Sequence, residues 1–415
     1  MKTTPLVLLL AGLLAGDGRG LAGTPYRTDV NPALVYWQLL AILPKDDQKN
    51  IDSYQTAPLD EKYRTLVASY DTHFRYVRRA VQLKEHCNWG IDSADGPETM
   101  LPHLGLAKKV AKVAACRARY FLSHGQEDEA VQDLLGAFVL ARRVGDDQTL
   151  ISALVQIAME SIVTGSIAEN FYAFSPDALQ RLMAGIDASP TGSTISRCIG
   201  EGERSFVPYF RRKIEEAQAA HPGNEGEVLS EIRELFAKIL TEGEHSEKSY
   251  ETADLFIRSA GNTSAGLLAW IQALDPLYDE MQKIAALPYD RFGPMNQAFF
   301  ENKISNSTNL FAREFFTALE KGRAREFRGQ ARLALLRAGI QYRLNGETGL
   351  KTVADPFGSG PFGFRRFVFQ NVDRGFELRS QYAEDYAEVL IFAEKAGAPF
   401  VVFGPRAGKP IENTP

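Results

Sequence analysis

Cysteine is scarce in this chain: three residues in 415, Cys87, Cys116 and Cys198, with no Cys-x-x-Cys pair. That excludes a disulfide-built scaffold, a thioredoxin-like redox site and a zinc ribbon. An odd count leaves at least one thiol unpaired even in an oxidising compartment. Cys116, inside an Ala-rich helical run, reads as a small buried hydrophobe. Bridges between Cys87 and Cys198 or between Cys87 and Cys116 both stay open. Basic excess is also missing, with 47 Lys and Arg against 52 Asp and Glu and a net charge of −5. A nucleic-acid partner would want a basic domain, so none is expected. Beyond the first segment no apolar run reaches the length of a bilayer span, and the mature chain is expected to have no integral membrane segment. GxSxG, HExxH and P-loop motifs are absent. Gly358-Ser359-Gly360-Pro361-Phe362-Gly363 matches GxGxxG in letters only, because Pro361 and a strand-like segment stand where a helix should follow. No cofactor is expected.

What remains is the composition of an ordinary folded protein, 45% hydrophobic and 24% charged, long enough for two or three domains. The chain opens with Lys2, an apolar run from Pro5 to Gly16 and a small-residue exit through Gly23. This is the layout of a secretory signal peptide, residues 1–22, cleaved near Ala22, and it predicts a secreted or periplasmic protein. Removing it takes away Lys2, Asp17 and Arg19 and makes the net charge one unit more negative.

From Asn31 to about Asn345 the apolar spacing is helical. Asn31-Pro32 opens a helix through Leu43. Residues 59–83 carry Tyr63, Leu66, Val67, Tyr70, Phe74 and Val77 at a period of 3.6. Helices follow over 100–122, 126–144 and 149–171; the last is apolar on most sides and should lie centrally. Ser189 to Ser193 reads as a linker, and Pro276 should kink or split the helix around it. Near residue 350 the period changes. Phe364 to Val372 and Phe376 to Tyr382 alternate around a hairpin turn placed at Asp373-Arg374-Gly375. Residues 383–396 fit a helix or a strand, Phe400 to Phe403 may be read as a further strand, and the end should fray. The fold class is therefore mainly α: an irregular multi-helix array with a small C-terminal α+β module. The divisions are an N-terminal helical domain 23–188, a second helical region 193–345, a β-containing module 346–404 and a tail 405–415.

Ala118, Phe121, Gly125, Ala130, Leu134 and Ala137 fall at the small, aromatic, turn, small, large and small positions of a repeat unit, so residues 114–145 resemble one tetratricopeptide hairpin. No second copy lies 34 residues away, and a solenoid needs about three. Residues 330–382, with Asp355-Pro356-Phe357-Gly358 before Phe364-Arg365-Arg366-Phe367 and Gly375 to Ser380, resemble the helix-then-hairpin module of major pseudopilins. That family's membrane helix and acidic calcium loop are missing; only Glu384 and Asp385 lie nearby. The resemblance implies an antiparallel sheet on the last helix, without pilus assembly or calcium binding. Asn31-Pro32-Ala33-Leu34, Cys87-Asn88-Trp89-Gly90 with Asp95-Gly96-Pro97, and Leu150 to Gln156 make the whole chain similar to uncharacterised secreted, mainly helical bacterial proteins, which supply no activity.

The densest chemistry lies in residues 85–103: His86, Cys87, Trp89, Asp92, Asp95, Glu98 and His103 in one inter-helix segment. His86, Asp92, Asp95 and His103 are ligand types for a metal, though no known spacing fits, and an EF-hand would put Ile91 and Pro102 at ligand positions. The competing reading is mechanical, with Asp92 and Asp95 making turn and cap bonds while Trp89 and Cys87 pack beneath. Arg323, Arg325, Arg328, Arg332, Arg337 and Arg343, interleaved with Glu320 and Glu326, read as a solvated helix face. Phe299, Phe300, Phe311, Phe315 and Phe316 read as core. Two functions follow: a non-catalytic extracytoplasmic binding or interaction protein with a protein or small-ligand partner, or a metal-dependent enzyme or hydrolase centred on 85–103.

Overall fold

A computed structural model describes residues 27–45, 47–239, 247–369, 372–383 and 387–393. The expected signal peptide, the strand at Phe400–Phe403, Glu384, Asp385 and the tail lie outside the described residues.

Helices begin where side chains can satisfy the free amides of a first turn. Asn31 caps α1 (Pro32–Ala41), with Pro32 at the first helical position. A short α2 (Gln48–Asp52) follows. Asp60 caps α3 (Glu61–Ser69). The single helix expected over 59–83 is two: the chain breaks at Tyr70, a buried residue whose hydroxyl bonds Asp47, and restarts as α4 (Asp71–Val81). α5 (Pro102–Ser123) and α6 (Glu127–Val144) form a helical hairpin turned through Gly125. Ala118, Ala130, Leu134 and Ala137 lie in its seam, all fully buried. Thr149 caps α7 (Leu150–Glu169). Among the described residues α7 is the one helix long and apolar enough to cross a membrane, and here it packs against α5, α6 and later elements. α8 (Pro176–Asp187) is capped by Ser175.

The second half is built from α9 (Ile195–Glu201), α10 (Phe206–Ala220), α11 (Glu225–Ile239), α12 (Glu247–Ser259), α13 (Ser264–Gln272), α14 (Asp275–Ala285) and α15 (Tyr289–Phe299). Pro276 splits the expected helix by standing in the first turn of α14, where its missing amide costs nothing. A π-helical turn at Phe300–Ile304 leads to α16 (Leu310–Lys351), capped by Asn309 and interrupted at Gly346 (φ 63°, ψ −150°).

Three antiparallel strands close the chain in the order β1 (Gly363–Phe369), β2 (Val372–Ala383), β3 (Ala387–Ala393). The ambiguous segment 383–396 thus contributes a strand. The hairpin turn falls between Phe369 and Val372, earlier than expected. Asp373-Arg374-Gly375 lies inside β2 as a bulge, with Val368 opposite Asp373 and Phe367 opposite Gly375. Asp373 accepts from the Arg366 side chain at 2.8 Å and from the Gly375 amide at 3.2 Å, so its turn-forming chemistry serves the bulge. Asp355, almost fully buried, latches the preceding turn to β2: it accepts from the Phe357 amide at 3.0 Å, Ser380 Oγ at 2.9 Å and the Gln381 amide at 2.5 Å.

Two large cores organise these elements. The first joins α1 and α4 to α8 with Leu335, Leu336 and Ile340 of α16 and Phe376, Leu378, Leu390 and Phe392 of the sheet. The second joins α9 to α15 with Phe311, Phe316 and Phe327 of α16, and adds Leu150 and Tyr382. Phe299, Phe311 and Phe316 are therefore core, as their spacing suggests. A small third core surrounds Tyr63 and Cys116. Contacts cross two of the expected boundaries. Ser193 is buried and its amide donates to Gln156 Oε1 at 2.9 Å, so the linker at 189–193 is a fixed crossing. The small C-terminal module packs the end of α16 and most of its sheet into the first core, with Tyr382 reaching the second.

The cysteines form no bridge. All three are free and buried, Cys87 in the first core, Cys198 in the second and Cys116 in the third. The arginines of α16 are largely engaged within the fold. Arg332 meets Glu388 at 2.6 Å, Arg337 meets Asp187 at 2.5 Å and Arg343 lies over the Tyr172 ring, whereas Arg325 is exposed.

Candidate functional site

Segment 85–103 is held from both sides. Asn31 accepts from the Asn88 amide at 3.1 Å and donates to its carbonyl at 2.7 Å. Trp89 turns inward, donating from Nε1 to the Arg143 carbonyl at 2.7 Å. It stacks on Tyr36 at 5.7 Å and on His103 at 4.4 Å, with Trp37 edge-on at 5.6 Å. His103, fully buried, thus sits among aromatic rings. Its Nε2 stands 3.2 Å from Asp147 Oδ2, but neither ring nitrogen makes an aligned hydrogen bond. Asp147 is occupied at its other oxygen by Ser152 Oγ and the Thr149 amide, which tie it to the start of α7.

The exposed half of the segment is a 3-10 turn, Ser93–Glu98. Asp92 caps it, accepting from the Ala94 amide at 2.9 Å, and Asp95 is exposed in its first turn. This turn docks on the second half of the molecule. Glu98 accepts from Tyr209 Oη of α10 at 2.5 Å and from Lys238 Nζ of α11 at 2.5 Å, and Arg212 donates to the Ala94 carbonyl at 2.8 Å. The lysine, with help from the tyrosine hydroxyl, holds the Glu98 carboxyl below its usual range. Gly96 has φ 52° and lies so close to the Tyr209 ring that a Cβ there would fall 2.6 Å from Cγ. Only glycine fits both the backbone angle and the gap.

His86 is exposed on the other side and faces Asp146. Burial raises the Asp146 carboxyl, and the charges of His86 and Arg143 offset part of the effect. Of the six residues expected to form a site, Trp89 and His103 are brought together as a buried stack, while His86, Asp92, Asp95 and Glu98 are engaged or exposed separately. Among the described residues no group of three or more His, Cys, Asp or Glu side chains is arranged to hold a metal. The physical reason is a division of labour within the segment: Trp89 and His103 pack inward, Asp92 caps, Glu98 clamps, and His86 and Asp95 face solvent separately.

A cavity the sequence reading missed lies in the second half, where the end of α9, the 3-10 turn Glu203–Ser205 and the starts of α10 and α14 meet. It is a shallow depression open to solvent, with a volume of about 330 Å³, and is lined by Gly200, Glu201, Arg204, Ser205, Val207, Pro208, Arg211 and Asp275. Arg204 lies 3.1 Å from Asp275 Oδ1 and 2.5 Å from Asp279 Oδ1. Glu201 pairs with Arg197 at 3.3 Å. Arg211 is the poorly satisfied member: among the described residues its one carboxylate neighbour, Asp275 Oδ2, is 3.8 Å away, and its Nε is buried without an acceptor. Arg204 and Arg211 are seven residues apart, a spacing that suggests one helical face. Asp275 comes from 71 residues beyond Arg204, and nothing local announces it.

Behind this cavity Glu203 turns its carboxyl inward to the α7 start, where Oε1 accepts from the Leu150 amide at 2.9 Å. Burial pushes that carboxyl up to about 7. Glu326 reaches the start of α9 in the same way, accepting from the Ile195 amide at 3.3 Å. Comparison with known protein families, characterised proteins and solved structures finds none that matches this chain.

Proposed function

We propose that this chain is a non-catalytic binding protein acting outside the cytoplasm, with its ligand site in the cavity between α9, α10 and α14. The observation that carries the reading is the state of Arg211: a half-exposed guanidinium beside a cavity of about 330 Å³, its Nε without a hydrogen-bond acceptor among the described residues. Cavities of this size suit small ligands, and a few convergent polar groups give such sites their orientation. The extracytoplasmic location rests on the apolar opening segment.

The alternative, a metal-dependent enzyme centred on residues 85–103, draws less support because Asp92, Glu98 and His103 are engaged in capping, clamping and packing. Two measurements separate the readings. Native mass spectrometry of protein purified from its own cells is expected to show a bound small molecule that Arg211→Ala loses. Elemental analysis showing stoichiometric metal that His86→Ala and Asp92→Ala remove would favour the enzyme instead. The mature N-terminus, expected near residue 23, tests the location.

A further inference from the structure

We infer that the cavity takes a small organic carboxylate that also carries a hydrogen-bond donor, held by Arg211 through its acid group. This rests on the binding reading above and names its ligand class.

Two guanidiniums, Arg204 and Arg211, and two carboxylates, Glu201 and Asp275, line the cavity. Arg197 holds Glu201, and Arg204 holds both Asp275 and Asp279. Arg211 is left with a 3.8 Å contact that is too long for a hydrogen bond. Arg211 Nε is buried, so the guanidinium meets a ligand through its two Nη groups, which can grip a carboxylate through two parallel hydrogen bonds. The charges of these four lining groups cancel. A monoanion therefore meets the guanidinium donors without strong repulsion, whereas a phosphate dianion would face both Glu201 and Asp275 in the lining. Each carboxylate oxygen has a second lone pair, so Asp275 and Glu201 retain capacity to accept from a ligand hydroxyl or ammonium group. Val207 and Pro208 supply an apolar wall for a short carbon chain.

The test uses the mature protein with four probes at constant ionic strength: lactate, propionate, methyl lactate and inorganic phosphate. Calorimetric titration is expected to show saturable lactate binding, weaker propionate binding and none for methyl lactate. Arg211→Ala should weaken lactate about tenfold or more, and Arg211→Lys less, with circular dichroism confirming both variants as folded. Equal binding of acid and ester, tighter binding of phosphate, or lactate binding unchanged in Arg211→Ala would each overturn the carboxylate assignment. If lactate fails but a neutral molecule co-purifies and depends on Arg211, the ligand class is wrong and the binding reading survives. If no probe binds and no molecule co-purifies, both fall.

Discussion

Glu203 Oε1 accepts a hydrogen bond from the Leu150 amide at 2.9 Å, so a carboxylate from the second core caps the central helix of the first. Burial holds that carboxyl near 7, against an ordinary value of 4.5, and the amide pulls the other way. A group with a raised folded value keeps a proton that the unfolded chain has already released. Its contribution to stability is therefore full below pH 4.5 and is lost as the pH rises towards 7. The melting midpoint is expected to fall across that window. Glu203→Gln, which keeps the acceptor oxygen, should flatten the fall. Glu169, pushed up to about 7 by burial against help from Gln55 and Tyr54, should behave alike. Identical slopes in wild type, Glu203→Gln and Glu169→Gln would show that neither carboxyl is responsible.

The clamp of Glu98 on Tyr209 and Lys238 gives a second expectation. These groups are partly exposed, so Glu98→Gln should cost only about 0.5–1.5 kcal/mol. Gly96→Ala meets both a left-handed backbone and the Tyr209 ring, and should cost about 2 kcal/mol or more. Denaturant unfolding measures both. Hydrogen exchange over residues 93–99 should quicken in both variants while the α5–α6 hairpin stays protected.

Inside the hairpin, Arg117 and Asp133 form a buried pair at 2.7 Å, extended by Arg78 at 2.8 Å and by the Arg117 contact to Asp71 at 2.7 Å. Removing one partner leaves charge in the interior. Asp133→Ala should destabilise by about 3 kcal/mol, whereas Asp71→Ala, at the exposed end, should cost about 1 kcal/mol or less. Chemical denaturation that ranks the two equally would contradict this account.

Burial raises the thiols of Cys87, Cys116 and Cys198 to about 12, 11 and 12. Since the thiolate is the reactive form, the native protein should be inert to an aromatic disulfide reagent at pH 8. Unfolded protein should release three equivalents, and reductant should leave the melting temperature unchanged.

The helical half of this architecture was legible because its signals are local. Asn31 announces a helix start and caps the helix that its position suggests; Asp60, Thr149, Ser175 and Asn309 cap theirs by the same local chemistry. Signals failed where one chemistry has two uses. Asp373 and Gly375 have the composition of a turn but build a bulge, because Arg366 across the strand pair recruits Asp373. Likewise His, Trp and Asp in 85–103 look the same in sequence whether they bind a ligand or pack. Trp89 and His103 proved to be one aromatic stack, and Asp92 a cap. Arg211 was illegible for a different reason: its significance depends on Arg204 drawing Asp275 away from it, a competition among residues distant in sequence.

The path of α16 through both cores sets an order of events during biosynthesis. The first core starts with α1 but contains Leu335, Phe376 and Phe392, so it must await almost the entire chain. The second core needs little beyond Phe327, apart from Tyr382, and can gather earlier. A polypeptide emerging N-terminus first therefore carries Phe171 and its neighbours uncovered until the last strand arrives. Chaperone dependence should be greatest for the part of the molecule that is made first.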